Sequence, residues 1–346
     1  MVVQDRIHLL GNTPSPYTQK MVSLLRYRRL PYKVTWADVR QYLEANGIEA
    51  PRPVLLPTFL YEEDGDTKAR CDSTPIIADL DALYPERKVL PSDPALAFID
   101  FLLEDFADEW VTKYMFHYRW YPEADADNAG SLLPVGMDVT LADKDWRHFK
   151  AFFTERQISR LYVVGSNDTT APVIDASYRR FLSAMEAHLS QQPYLLGRRP
   201  GSSDFGVFGQ LTQLVGFDPT PRAIAHQISP RTVAWVDLVR DLSGLEPTDS
   251  DWVALEEQPD SLKALLAEIG RVYAPAQLAN ARALAAGEKS WDAEIDGQPW
   301  TQPAFPYQAK CLRWTNERYQ VLSSADRARV DSVLAGTGVE AMLSAD

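Results

Sequence analysis

The spacing of apolar residues predicts a strand, a helix and a second strand at the start of the chain. A short apolar run at residues 6–10 stops at Gly11, which is typical of a buried strand. Residues 16–28 predict a helix, because their apolar positions recur at helical intervals: Tyr17, Met21, Leu24 and Leu25. Residues 32–36 (YKVTW) form the second predicted strand. Short links between these three elements predict a right-handed parallel βαβ unit.

The next residues predict a helix, a hairpin and another helix. A helix is predicted over residues 38–46, and residues 58–61 and 68–71 are typical of two strands joined by a tight turn. A further helix is predicted to begin at Ser73, which we expect to act as its cap. Its apolar face comprises Ile76, Ile77, Leu80, Leu83 and Tyr84. The N-terminal part therefore has the predicted order βαβ, helix, ββα.

A proline-rich stretch at residues 85–94 precedes an all-helical pattern. The first helical stripe beyond it consists of Ile99, Leu102, Leu103, Phe106, Trp110 and Tyr114. Other predicted helices lie near residues 181–189, 205–215, 232–242, 260–285, 307–319 and 325–334. The expected domains are residues 1–86 and 95–346, the second with a loop at residues 121–175 and a C-terminal extension at residues 285–346.

Composition excludes some classes of function. The 346 residues carry a formal charge of −13, which repels phosphate backbones and anionic lipids, so neither nucleic acid nor membrane is an expected partner. No apolar run reaches the length of about 18 residues that a spanning helix needs. The five histidines show no metal-ligand spacing, so no metal site is expected. Two cysteines, Cys71 and Cys311, and an N-terminus unlike a signal peptide favour a cytoplasmic protein.

Three short motifs carry candidate chemistry. In NTPSPYTQKM (residues 12–21), Ser15 precedes a predicted helix and can be a cap, a nucleophile or a donor that holds another molecule's nucleophile. In LPTF (residues 56–59), Pro57 opens a strand. DSTPIIADLDALYP begins at Asp72 and places a helix N-terminus, which attracts carboxylates, directly after it.

Together with YLLGRRPGSSDFGVFGQL at residues 194–211, these motifs resemble the cytosolic glutathione transferase superfamily, with the class unassigned. The resemblance implies an α/β thioredoxin-like N-terminal domain followed by an all-α domain, here with a C-terminal extension. In the last motif we assign Asp204 and the cap position at Gly201 to folding rather than to chemistry.

The resemblance also implies a glutathione site with glutathione as co-substrate. Ser15 would donate a hydrogen bond to the glutathione sulfur and favour its thiolate. Leu56 and Pro57, joined by a cis peptide bond, would align the cysteinyl backbone. Asp72 and Ser73 would bind the glutamyl amine and carboxylate. The alternative donors to the sulfur are Thr13, Tyr17 and Thr18.

The acceptor is expected against the aromatic end of the first helix of the second domain. Tyr114, His117 and Trp120 are the candidate substrate-binding residues, and a purely structural role in the helix core is the alternative. Glu109 and Lys113 are predicted to form a surface pair one helical turn apart. The aromatic segment at residues 299–319 is expected to brace the helical domain rather than to close over the cleft.

The expected function is a glutathione transferase-like enzyme that activates the glutathione thiolate for attack on a hydrophobic or aromatic electrophile. A homodimer is possible, as is usual in the family. Two alternatives stay open. One is a non-catalytic binding or interaction protein with the same fold. The other is a glutathione-dependent isomerase or ether-cleaving enzyme.

Overall fold

A mixed four-stranded sheet forms the N-terminal part of the computed structural model, which describes residues 3–343. The elements are β1 (Ile7–Gly11), α1 (Pro16–Tyr27), β2 (Tyr32–Trp36), α2 (Val39–Ala45), β3 (Thr58–Glu63), β4 (Asp66–Arg70) and α3 (Ser73–Leu83). The strand order is β2-β1-β3-β4, with β1 parallel to β2 and antiparallel to β3. This is the predicted thioredoxin-like arrangement. Residues 1–2 and 344–346, which the expected domains include, lie outside the described range.

Helices cover both faces of the sheet. Successive side chains of β1 point to opposite faces, so each face supplies apolar residues to a different set of helices. Leu9 belongs to the large core shared with α1 and α3, whereas Leu10 packs with Val39 and Leu43 of α2. Helix α1 forms where the spacing predicted it, with Met21, Leu24 and Leu25 fully buried.

A helical domain follows the sheet. Its first elements are α4 (Pro94–Phe106), α5 (Thr112–Trp120), α6 (Glu123–Met137), α7 (Asp143–Ile158), α8 (Ala171–Leu189) and α9 (Ser202–Leu214). They are followed by α10 (Pro219–Ile228), α11 (Pro230–Val239), α12 (Asp260–Glu268) and α13 (Ala274–Ala285). A π turn at Ala107–Val111 joins α4 to α5, and another at Ile269–Tyr273 joins α12 to α13. Every residue of α9 is buried, and this helix packs against both α1 and α4. The two parts of the chain therefore share one apolar core.

The prediction of a loop at residues 121–175 is wrong, since this region contains α6, α7 and the start of α8. Helix α6 includes Pro134 in its interior, and α7 contributes no buried residue. The two helices pack mainly against each other and leave apolar side chains such as Phe152 in solvent. Helix α6 buries mainly small residues, such as Ala126, Ala129 and Gly130, so neither sequence shows the periodic pattern of large apolar residues that identifies a helix.

The C-terminal extension contains a hairpin that the pattern did not predict. Strands β5 (Ser290–Ile295) and β6 (Gln298–Pro303) pair antiparallel through a two-residue turn. Asp296 and Gly297 occupy this turn with φ of 55° and 70°, the conformation for which Asp-Gly is favoured. The Asp-Gly pair and the alternation of buried residues were the available signals. Helices α14 (Pro306–Gln320), α15 (Ser324–Leu334) and α16 (Glu340–Leu343) complete the chain.

The extension braces the helical domain, as expected. The Trp300 ring lies 5.3 Å from that of Trp110, and Tyr319 of α14 packs 5.7 Å from Phe98 of α4. Helix α15 also packs along α4. Within residues 3–343 no helix combines the length and the apolar character needed to cross a membrane, and no group of three or more metal-ligating side chains occurs.

Candidate functional site

Ser15 lies at the N-terminus of α1, buried to 7% exposure, and acts as the helix cap. Its Oγ accepts the N–H of Thr18 at 3.2 Å, which leaves the hydroxyl proton available for another acceptor. A residue of the helical domain fixes the loop before Ser15, because Arg119 donates to the carbonyl of Pro14 at 2.9 Å. Arg119 is itself fixed by contacts of 2.9 to 3.1 Å with the buried carboxylate of Asp218. The position of Ser15 is therefore fixed, and its hydroxyl donates no hydrogen bond to another described residue.

The neighbouring hydroxyls differ in where they point. Tyr17 donates to the carbonyl of Asp108 at 2.7 Å and so reaches into the domain boundary. Thr18 is fully buried, whereas Thr13 is exposed at the edge of the loop. Tyr17 and Thr18 are thus poorly placed for a ligand in the cleft, and Thr13 stays the alternative to Ser15.

The Leu56–Pro57 peptide bond is cis, as predicted, and the preceding Arg52–Pro53 bond is also cis. Thr58 donates from its side chain to the carbonyl of Leu55 at 2.7 Å. Leu56 is half-buried, and its backbone takes part in none of the backbone hydrogen bonds between described residues. A free N–H and carbonyl beside a strand form the kind of surface that an extended peptide can pair with.

The start of α3 differs from the prediction that Ser73 caps the helix. Ser73 is the first helical residue, and its Oγ accepts a hydrogen bond from Lys20 at 3.0 Å. Asp72 occupies the cap position with φ of 86°, in the left-handed region, and its side chain makes no capping bond. Such a backbone conformation costs about 1–3 kcal/mol and is concentrated at functional sites. The Asp72 carboxylate is thereby turned away from its own helix.

Lys20 occupies a buried polar centre between the two domains, which the sequence analysis did not predict. Its ammonium lies 2.7 Å from Glu104 and 2.6 Å from Asp108, in addition to the contact with Ser73. Burial opposes its charge, but the two carboxylates outweigh burial and raise the pKa of Lys20. The ammonium in turn lowers the pKa of Glu104 against the effect of burial. The centre joins α1, α3 and α4.

The predicted surface pair between Glu109 and Lys113 is wrong, because Lys113 is buried and no ion pair joins the two side chains among the described residues, although their charges interact. Lys113 is buried and donates instead to the carbonyl of Val164 and to Gln302, both at 3.1 Å. Burial lowers the pKa of the Lys113 ammonium to about 8. Burial also raises the pKa of the Glu109 carboxyl to about 8, and the charges of nearby carboxylates add to the shift.

The C-terminal extension reaches the candidate site, which the sequence analysis missed. Tyr307 of α14 donates to the Asp72 carboxylate at 3.1 Å, and the Lys310 ammonium lies 3.3 Å from the same oxygen. The ammonium also lies over the rings of Tyr307 and Trp314, at 4.7 and 4.0 Å. Intervals of three and four residues between the three positions were the available signal, since they share one helix face.

The structure places the three predicted substrate-binding residues in the core, which favours the alternative of a structural role. Tyr114 is fully buried and hydrogen-bonded to Ser177 at 2.6 Å. His117 is bound to Ser166 at 2.7 Å, and burial lowers its pKa to about 4. Trp120 is 2% exposed within a small apolar cluster. The aromatic richness that suggested a pocket wall reflects packing between helices.

The comparisons with known proteins agree with the motifs. Residues 9–88 match the family model described as "Glutathione S-transferase, N-terminal domain", and this range contains all three N-terminal motifs. No curated protein matches the sequence.

Several solved structures are similar to this chain. A glutathione S-transferase from Rhodospirillum rubrum F11 is 20% identical over 68% of this chain and 87% of its own, with a TM-score of 0.41. A glutathione transferase from Burkholderia graminis, with two glutathione molecules bound per subunit, is 17% identical over 68% and 83%, with a TM-score of 0.40. The beta-etherase LigF from Sphingobium sp. strain SYK-6 is 16% identical over 67% and 94%, with a TM-score of 0.40.

Proposed function

We propose that this chain, whose N-terminal domain is that of the glutathione S-transferase superfamily, binds glutathione and transfers its thiolate to a hydrophobic or aromatic electrophile. Ser15 is the proposed hydrogen-bond donor to the glutathione thiolate. Leu56 and Pro57 hold the cysteinyl backbone, and Asp72 and Ser73 hold the glutamyl end.

One observation carries the proposal: the pairing of the strands brings all three motifs to the same end of the sheet. Leu10 pairs with Thr58, so the loop that leads to Ser15 emerges beside the Leu56–Pro57 bond. Phe59 pairs with Arg70, so the chain leaving β4 brings Asp72 to the same end. A peptide with a thiol at its centre and an amino acid head group at one end fits this order of groups.

The chemistry would rest on the thiol of bound glutathione. The N-terminus of α1 and the free Ser15 hydroxyl favour a negative charge beside them, which lowers the pKa of a thiol placed there. The thiol proton leaves to solvent, the sulfur forms a bond to the electrophilic carbon, and the leaving group departs with the electron pair of the broken bond. The protein contributes alignment of the two reactants and stabilisation of the thiolate.

Calorimetric titration of the full chain with reduced glutathione, followed by turnover with aryl halides, epoxides and aryl ethers, tests the proposal. We expect saturable binding and conjugation or ether cleavage of at least one member of the panel. Ser15→Ala should lower kcat about 100-fold while the Kd for glutathione changes less than about threefold. Thr13→Ala is the matched control for the alternative donor. A chain that shows no binding heat with glutathione at two different temperatures does not have this function.

A second candidate is a non-catalytic interaction protein of the same fold. The observation in its favour is that Tyr307 and Lys310 of the same chain engage Asp72. If glutathione cannot displace these side chains from Asp72, the titration would register no binding.

A further inference from the structure

Helix α14 is fixed by residues other than those that face the candidate site. Its Gln308, Cys311, Leu312 and Thr315 are buried against the helical domain. The Arg318 guanidinium also packs over the ring of Phe101, 4.2 Å from its centre. The Lys310 side chain, by contrast, is 33% exposed. The helix therefore does not depend on Lys310 for its position, and this ammonium is presented to solvent beside Asp72.

The surroundings of Asp72 are strongly acidic. Asp108 and Glu109 interact electrostatically with its carboxylate from the helical domain. Two cations near the start of α3 are already engaged, because Lys20 is held by Glu104 and Asp108, and Arg70 by Asp79. A carboxylate that enters at the N-terminus of α3 would lie close to the carboxylates of Asp72 and Asp108, and its binding requires a cation that can still donate a hydrogen bond.

Lys310 is that cation. Its ammonium is pre-positioned by the rings of Tyr307 and Trp314, and it contacts one oxygen of Asp72 at 3.3 Å. An ammonium donates up to three hydrogen bonds, so this contact leaves it able to donate to a second carboxylate. An anionic and a cationic group side by side match the two charges of an α-amino acid head group, which are attached to one carbon.

On the premise of the proposed function, we propose that the C-terminal extension completes the glutathione site. Lys310 binds the α-carboxylate of the γ-glutamyl residue, together with the N–H of Ser73, while Asp72 binds the α-ammonium. Tyr307 keeps the Asp72 carboxylate oriented through its hydroxyl. The site would thereby select γ-glutamyl peptides that carry an intact, zwitterionic head group.

The test compares Lys310→Met with Arg313→Met, a matched change on the exposed side of the same helix, where Arg313 pairs with Glu317. Lys310→Met should raise the Kd for glutathione about tenfold, whereas Arg313→Met should change it less than twofold. Lys310→Arg should retain most of the affinity. The second probe is glutathione amidated at its glutamyl α-carboxylate, for which wild type and Lys310→Met should have equal affinity.

Two outcomes overturn the inference while leaving the proposed function intact. Wild-type binding with no loss in Lys310→Met shows that the residue does not contact the ligand. Tighter binding by Lys310→Met shows that Lys310 competes with the glutathione ammonium for Asp72. Absence of binding by the wild type overturns the proposed function itself. Thermal unfolding of each variant, with unchanged Tm expected for Lys310→Met, separates a binding defect from a folding defect.

Discussion

The Lys20 ammonium lies 2.7 Å from the Glu104 carboxylate across the boundary between the sheet domain and the helical domain. Both side chains are at most 2% exposed. A buried pair of this kind adds little net stability compared with apolar residues, but removal of one partner leaves an uncompensated charge. The pair therefore makes correct docking of the two domains a condition for a stable fold.

Replacement of this ammonium should destabilise the protein strongly. Lys20→Met leaves Glu104 and Asp108 without a counter-charge, and we expect a loss of about 3–5 kcal/mol in the free energy of unfolding at neutral pH. The loss should shrink at acidic pH, because both carboxylates can then take up a proton. Urea unfolding at several pH values measures this. A double variant, Lys20→Met with Glu104→Gln, should recover part of the stability, and a loss independent of pH would contradict the explanation.

Arg119 should influence catalysis without touching glutathione. Arg119→Lys loses the paired contact with Asp218 and the bond to the Pro14 carbonyl, so the loop that carries Ser15 loses its support. We expect kcat to fall about tenfold and the pH–activity profile to move upward, because a displaced hydroxyl stabilises the thiolate less.

The control for Arg119 is Arg179→Lys, whose exposed partner is Asp175. It should leave the profile unchanged. A fall in Tm for Arg119→Lys with an unaltered pH profile would indicate a purely structural role.

Asp204 should make stability depend on pH. Burial raises the pKa of its carboxyl to about 8, and the neighbouring Asp100 adds to the shift. In the unfolded chain an aspartate titrates near pH 3.9, so between that value and about 8 the folded form holds a proton that the unfolded form has lost. The contribution of Asp204 to the free energy of unfolding is therefore complete at low pH, and it is lost as the pH rises to about 8.

The comparison with Asp204→Asn isolates this effect, because the amide does not titrate. The advantage of the wild type in free energy of unfolding should be largest near pH 5 and should fall by up to about 1.4 kcal/mol per pH unit. Chemical unfolding at pH 5, 6, 7 and 8 gives the difference. An advantage that grows toward pH 8 would show that Asp204 is ionised in the folded protein.

The hairpin should contribute to stability through Trp300, which is 1% exposed and packs on Trp110. Trp300→Ala removes a fully buried ring, and we expect a loss of about 3–5 kcal/mol. Trp36→Ala is the control, since Trp36 on the edge strand β2 is 45% exposed. A small effect at Trp300 would show that the hairpin is an appendage rather than a part of the core.

The sheet domain was predictable because its signals are local. The run before Gly11, the spacing of Met21 and Leu24, and the proline at position 57 each determine structure within a few residues. The same holds for the helix start at Ser73, although its hydroxyl is bound by Lys20 instead of capping the helix. The contribution of these residues to a site remains a prediction that the titrations above address.

The parts of the fold and of the candidate site that the sequence did not predict depend on contacts between distant residues. Asp72 and Lys310 are 238 positions apart, and no periodicity connects them. The π turn at Ala107–Val111 interrupts the regular helical repeat, and the sequence pattern did not show that Lys113 is buried among distant residues such as Gln302. Tyr114 and its aromatic neighbours were correctly placed on a helix, but their burial depends on the packing of α6, α8 and α9 against that helix.

The contact between Asp72 and Lys310 also has a consequence for the order in which the protein is made. Synthesis proceeds from the N-terminus, and domains generally fold as units while they emerge from the ribosome. A nascent chain can therefore carry a complete sheet domain while Asp72 still faces water. The partner groups on α14 arrive only after some three hundred residues have been translated. The surroundings of Asp72 are thus completed only after the sheet domain and the helices that precede α14 have been made.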